Sequence, residues 1–172
     1  MNFYLNYYRE NEKQAEEKPN LWKNPLIRNM LIYAVFVQFV ILIIQPVLTT
    51  YVSELAGQMD NLIFISGLVF SLGGFASAIS APLWGRFGQH HGFHTALTYA
   101  LIATGICFFL QSLPNDLMLF AASQFAVGLF FSGIYPSINA ILAENTDAHT
   151  KGHVFGLLFS AQQIGSMTGP LL

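Results

Sequence analysis

Four uncharged polar side chains interrupt apolar stretches of the chain and are its best candidates for binding a solute: Gln38, Gln45, Gln124 and Tyr135. Gln38 and Gln45 are seven residues apart, which places them on one face of a helix. A buried amide in an apolar setting needs a hydrogen-bond partner. The amides therefore either join neighbouring helices or line a cavity for an amphipathic solute together with aromatic residues such as Phe36.

Other kinds of site find little support in the sequence. No Asp, Glu, Lys or Arg stands in the middle of a long apolar stretch, so we expect any proton-coupling carboxylate to lie outside these residues. The pairs His90/His94 and His149/His153 have four-residue spacing, but glycines interrupt both and no cysteine is near. We therefore predict neither a metal nor a cofactor. No catalytic motif occurs, and an enzyme is not expected.

The composition defines the elements that must hold these side chains. Hydrophobic residues make up 53% of the 172 residues and charged residues only 9%, whereas soluble domains average about 25% charged. The charges that remain after Arg28 are too few to cover a soluble surface. A net charge of −2 without a basic stripe argues against nucleic-acid binding. The sequence predicts an all-α, polytopic membrane protein in contact with the lipid bilayer.

Long charge-free stretches predict five spanning helices, because a membrane helix needs about 20 mostly apolar residues. These stretches lack the alternation that barrel strands show. We expect residues 1–25 to form a cytoplasmic linker or tail and residues 26–172 to form part of a six-helix bundle. The predicted spans are residues 29–53, 61–85, 94–113, 117–142 and 154–172.

The basic residues predict the orientation of the bundle. All seven Lys and Arg residues lie in the N-terminal segment or in the connections after the second and fourth spans. Since basic residues favour the cytoplasmic side, we expect the N-terminus, the 86–93 loop and the 144–151 loop to be cytoplasmic. The predicted location is the plasma membrane.

Small residues and prolines inside the spans predict close packing and bends. A stripe of small residues runs along the second span at helical spacing: Gly67, Ser71, Gly74, Ala78 and Ala81. Gly73 and Ser77 widen this stripe, which is typical of a face that packs on another helix. Bends are expected at Pro46, Pro136 and Pro170, and such bends often border a cavity in membrane proteins.

Two motifs resemble those of a known family, the major facilitator superfamily. The segment Gly85-Arg86-Phe87-Gly88-Gln89-His90-His91-Gly92 resembles the family's loop motif, G-x-L-a-D-R-x-G-R-[KR]. Gly85, Arg86, Gly88 and Gly92 fit its frame, while Gln89 and His90 stand where charged residues are usual. The spacing of Gly156, Gly165, Gly169 and Pro170 resembles the antiporter motif of drug-efflux members, G-x8-G-x3-G-P-x2-G-G.

The resemblance covers residues 20–172 and implies a multidrug efflux transporter of the drug:proton antiporter type, with two six-helix halves around a midplane site. The incomplete loop motif and the charged segment before Lys23 favour helices seven to eleven, a fragment of the C-terminal half. The implied partners are a hydrophobic or amphipathic small molecule, protons and the N-terminal half. Gln38, Gln45, Gln124 and Tyr135 would bind the substrate, and the antiporter-type motif would seal the closed state.

Three alternatives remain beside the efflux transporter. The first is a truncated remnant without transport, and the second is a half-sized carrier that acts as a homodimer. The third is a sugar or metabolite carrier of the same fold, because the fold does not determine the substrate. The odd number of predicted spans argues against the homodimer. In the efflux interpretation we expect the 172-residue chain alone to be inactive.

Overall fold

The chain is helical throughout the part that the computed structural model describes, which comprises residues 23–56, 62–113 and 116–169. The helices are α1 (Pro25–Ala56), α2 (Leu62–His91), α3 (Phe93–Gln111), α4 (Leu117–Phe131), α5 (Ile134–Glu144) and α6 (Lys151–Thr168). No strand occurs in these ranges. Residues 1–22, most of the predicted linker or tail, lie outside them. The prediction of an all-α polytopic bundle is confirmed.

Within the described residues, four segments are long and apolar enough to cross a membrane: Pro25–Leu55, Phe64–His91, Phe93–Gln111 and Leu117–Glu144. The last of these comprises both α4 and α5. The fifth predicted span forms α6. The described residues of α6 are less apolar than those of the other four segments. Lys151, Gln162 and Gln163 lower its hydropathy, and only 18 residues are helical.

The predicted loop at residues 86–93 is wrong, because α2 continues to His91 and α3 begins at Phe93. Only Gly92 separates the two helices, with φ of 88°. This left-handed conformation is open to glycine at little cost. The helix therefore extends six residues beyond the predicted second span, which ends at residue 85.

The predicted fourth span is one apolar segment but two helices, α4 and α5. Asp116 begins α4 by accepting hydrogen bonds from the backbone N–H groups of Met118 and Leu119, at 3.0 and 3.2 Å. The chain leaves α4 at Ser132, four residues before Pro136. Because proline has no N–H and its ring crowds the carbonyl four residues earlier, the break falls one turn before the proline.

Two helix pairs make the most extensive contacts, α2 with α4 and α1 with α6, while α3 packs on α4 and α5. The larger apolar core joins α1, α3, α5 and α6 around residues such as Ala34, Ala100, Ile138 and Val154, each fully buried. A smaller core joins α1, α2 and α4 at Val52, Val69 and Phe120. Residues of the four helices α1 to α4 line a half-open cavity.

Candidate functional site

The cavity between α1, α2, α3 and α4 has a volume of about 350 Å³. Its polar side chains are Gln45, Gln124 and Ser77, one from each of three helices. Its other lining residues are apolar or glycine: Ile41, Ile44, Leu48, Phe70, Gly73, Gly74, Phe108, Val127, Gly128 and Phe131. None of these described lining residues is ionisable. A few polar groups among apolar and aromatic walls are typical of small-molecule sites.

Gln124 is held in the cavity wall by a second amide that the sequence analysis missed. The Nε2–H of Gln111, at the end of α3, donates to Oε1 of Gln124 over 2.6 Å. The Gln111 side chain is only 2% exposed, and its own Oε1 is buried without a protein partner. Gln111 stands at the end of an apolar stretch, as a residue at the membrane–water interface does. Its position in the sequence therefore did not indicate a binding site.

Gln38 and Tyr135, the other two predicted binding residues, lie outside this cavity and contact each other. The Tyr135 hydroxyl donates to Oε1 of Gln38 over 2.6 Å, which joins α1 to α5. The Tyr135 ring also meets Phe131 edge to face, with centroids 6.0 Å apart. Phe131 therefore stands between the cavity and the Gln38–Tyr135 pair.

The α2–α4 contact forms one wall of the cavity and depends on two glycines. A Cβ atom on Gly128 would collide with the backbone of Gly73, so the two helices meet backbone to backbone. Here the Ser77 hydroxyl can donate to the carbonyls of Gly73 and Gly128, both 2.9 Å away. One turn further, the hydroxyls of Ser80 and Ser132 are 2.7 Å apart. Together with these hydrogen bonds, the close contact of α2 and α4 brings the Gln124 side chain beside Gly73.

Trp84 stabilises the break between α4 and α5. The backbone N–H of Gly133 donates to Phe130 rather than to Leu129, which leaves the Leu129 carbonyl without its usual helical partner. The Trp84 Nε1–H donates to that carbonyl over 2.8 Å. The indole ring lies against Gly133, where a Cβ atom would collide with it.

The loop-motif glycines have structural roles at the α2–α3 junction. The Phe93 ring packs on Gly88, leaving no room for a Cβ atom, and Gly92 supplies the left-handed turn. No neighbour lies within 4 Å of a Cβ atom built on Gly85. Arg86 is exposed. The motif therefore forms the end of α2 and a tight turn.

The antiporter-type motif divides between two environments. A Cβ atom on Gly165 would collide with the Val35 carbonyl, and one on Gly169 would lie 2.8 Å from Cβ of Leu42. These two glycines therefore set the close approach of α6 to α1. Gly156 faces open space, and Pro170 lies outside the described residues.

The small-residue stripe of α2 does not pack on another described helix. No atom lies within 4 Å of a Cβ atom built on Gly67 or Gly74, and Ser71 and Ala78 are exposed. The contact with α4 uses the adjacent Gly73 instead. Among the described residues, no three His, Cys, Asp or Glu side chains come together as a metal site would require.

Comparison with known proteins identifies the family. The Major Facilitator Superfamily matches residues 30–172. The chain is 31% identical to the multidrug resistance protein MdtG of Klebsiella pneumoniae over 159 residues, which cover 92% of this chain and 39% of that protein. It is 32% identical to MdtG of Salmonella arizonae over 151 residues, covering 87% of this chain and 37% of that protein. No solved structure gave a significant match.

The chain therefore belongs to the Major Facilitator Superfamily. This assignment puts it among multi-pass membrane transporters rather than enzymes, as the sequence predicted. The chain spans less than two-fifths of the length of the relatives described above. Transporters of this family carry small-molecule substrates within the membrane.

Proposed function

We propose that this chain is part of a secondary active transporter that exports amphipathic drugs from the cell by proton-coupled alternating access. The observation that carries the proposal is the cavity whose apolar, aromatic walls hold the amides of Gln45 and Gln124. Apolar walls favour the hydrophobic body of a drug, and the amides hydrogen-bond its polar end. The relatives named as multidrug resistance proteins support the same substrate class.

The candidate residues have separate roles in substrate binding and in helix movement. Gln45 and Gln124 contact substrate in the cavity. Gln38 and Tyr135 use hydrogen-bonding capacity on each other, so their binding role requires exchange of that bond for a substrate contact. Gly165 and Gly169 let α6 slide closely along α1 and help to seal the closed state. Because no described residue that lines the cavity is ionisable, we expect proton coupling to lie in a part of the transporter outside this chain.

The proposed partner is the N-terminal half of the transporter. The stripe on α2, with open space at Gly67 and Gly74, has the small residues that let membrane helices approach closely. A face of this kind suits a helix of the other half. The distribution of Lys and Arg supports a cytoplasmic N-terminus, and export of drugs from the cell implies the plasma membrane.

The first test is drug binding by the purified 172-residue chain in detergent. We expect prodan, a fluorescent amphiphile that carries a ketone oxygen, to bind saturably. Gln45→Leu and Gln124→Leu should weaken binding about threefold to tenfold, since a lost hydrogen bond costs roughly 0.5–1.5 kcal/mol. Gln163→Leu, an exposed amide on α6, is the matched control. Equal affinities in all four proteins would contradict the assigned site.

The second test is transport in proteoliposomes with an imposed proton gradient. The chain alone should not move the dye, because it provides neither the partner half nor a coupling carboxylate in its cavity. Co-reconstitution with the remaining part of the Klebsiella pneumoniae relative should restore gradient-dependent movement. Active transport by the chain alone would refute the proposed division of labour.

A further inference from the structure

The amide pair Gln111–Gln124 gives the cavity a fixed hydrogen-bonding polarity. Gln111 donates to Oε1 of Gln124 over 2.6 Å. The remaining group of the Gln124 amide, Nε2, lies 3.2 Å from the position of a Cβ atom on Gly73. Gly73 and Gln124 both line the cavity. The oxygen of this amide thus accepts a hydrogen bond from α3, while its N–H group lies beside Gly73 of α2.

From this geometry we infer that Gln111 is a positioning residue that directs the Gln124 N–H toward the substrate, so that the site selects molecules carrying a hydrogen-bond acceptor. The inference rests on the proposed function and names its substrate class: neutral amphiphiles with a carbonyl, ether or hydroxyl oxygen. The Gln124 oxygen already accepts one hydrogen bond from Gln111, whereas neither N–H of its amide has a described partner, so the amide offers chiefly its donors. An ammonium group has no acceptor and gains nothing from this contact.

The other polar side chains that line the cavity, Ser77 and Gln45, keep an oxygen that can accept a hydrogen bond, but neither is oriented by a side-chain partner. The Ser77 hydroxyl is directed at the carbonyls of Gly73 and Gly128, so its hydrogen is already used. Gln45 is exposed. Gln124 is therefore the amide of the cavity that the fold orients through a side-chain partner.

Stability alone does not account for Gln111. Its Oε1 is buried without a protein partner, and such an oxygen carries a desolvation cost that an apolar side chain of the same shape avoids. An isosteric methionine would fill the same space without this cost. Its effect on Gln124 therefore separates a positioning role from a packing role.

The test uses two neutral fluorescent naphthalenes of the same skeleton. Prodan carries a ketone oxygen, and 2-dimethylamino-6-propylnaphthalene lacks it. With the full 172-residue chain in detergent we expect prodan to bind about fivefold to tenfold more tightly, the value of one hydrogen bond. Gln111→Met should reduce this ratio to near one while both compounds still bind. Gln163→Met should keep the ratio of the unmodified chain.

A second readout is the infrared stretching frequency of prodan labelled with carbon-13 at its carbonyl. Binding to the unmodified chain should lower the frequency through the N–H contact, and Gln111→Met should remove most of that shift. An affinity ratio near one in the unmodified chain, or an unchanged ratio and frequency in Gln111→Met, would overturn the inference. Failure of both compounds to bind would instead count against the proposed function.

Discussion

Glycines of the same helix have opposite structural roles in this protein. On α2, Gly73 contacts α4 backbone to backbone, whereas Gly74 faces open space. The spacing of the small residues placed Gly74 in the predicted packing stripe and Gly73 beside it. Neighbouring residues on a helix are about 100° apart around its axis. The predicted stripe therefore has the small residues that close packing needs, but it faces away from α4.

Alanine substitution separates these two roles. Gly128→Ala should destabilise the chain by about 1–3 kcal/mol, because the new methyl group collides with the Gly73 backbone. Gly74→Ala should be neutral or slightly stabilising, since alanine is the better helix former. Denaturant-induced unfolding in mixed micelles measures both. A stable Gly128→Ala variant would argue against the close α2–α4 crossing.

The candidate binding residues were predictable as a type but not as a group. A lone amide in an apolar stretch is visible in sequence, and this found Gln45 and Gln124, which line the cavity. The pairing of Gln38 with Tyr135 spans 97 positions and depends on how α1 packs against α5. Gln111 escaped notice because its partner lies across the α3–α4 connection.

At the scale of helices, local sequence determined where most elements begin and end. Asp116 caps α4 and Gly92 ends α2, each for a reason that lies within a few residues. The break after α4 follows from Pro136, although bend and proline are one turn apart. Which helices pair was not predictable. The glycines of α6 mark a close contact, but the sequence does not show that this contact is with α1.

The proline at the break provides a prediction about α4 and α5. Pro136→Ala restores a backbone N–H that can donate to the Ser132 carbonyl, four residues earlier. We expect slower amide hydrogen exchange through residues 132–137. Pro82→Ala, inside the continuous helix α2, is the control and should leave exchange at the break unchanged. If Pro136→Ala exchanges as fast as the unmodified chain, another feature holds the break.

The glycines of α6 provide a second prediction at this scale. Gly165→Leu should destabilise the chain by about 1–3 kcal/mol, because its side chain would enter the space occupied by the α1 backbone. Gly156→Leu, on the same helix in open space, should cost much less. Thermal unfolding followed by circular dichroism distinguishes them. Equal losses would mean that the close α1–α6 crossing does not explain the glycine at position 165.

At the scale of the whole molecule, composition alone was enough for the fold class. A chain with 9% charged residues and long apolar runs has to bury most of its surface in lipid. The fifth span was harder to judge, because α6 combines small and polar residues with its apolar ones. Such a helix depends on packing against α1 as well as on hydropathy.

The orientation of the bundle is open to direct test. In a Cys107→Ser background, a membrane-impermeant maleimide should label Gln89→Cys from the cytoplasmic side and Ser112→Cys from the outside. Both positions are exposed, and they stand at opposite ends of the α2–α3 hairpin. The expectation follows from the cytoplasmic preference of Lys and Arg. The reverse labelling pattern would invert the topology.

Trp84 makes the break between α4 and α5 observable with light. The chain has two tryptophans, so a Trp22→Phe variant emits from Trp84 alone. Because its indole N–H donates to the Leu129 carbonyl, any rearrangement that straightens or opens the break alters the emission wavelength and lifetime. The protein thus contains a fluorescent reporter on α2 that contacts the break between α4 and α5.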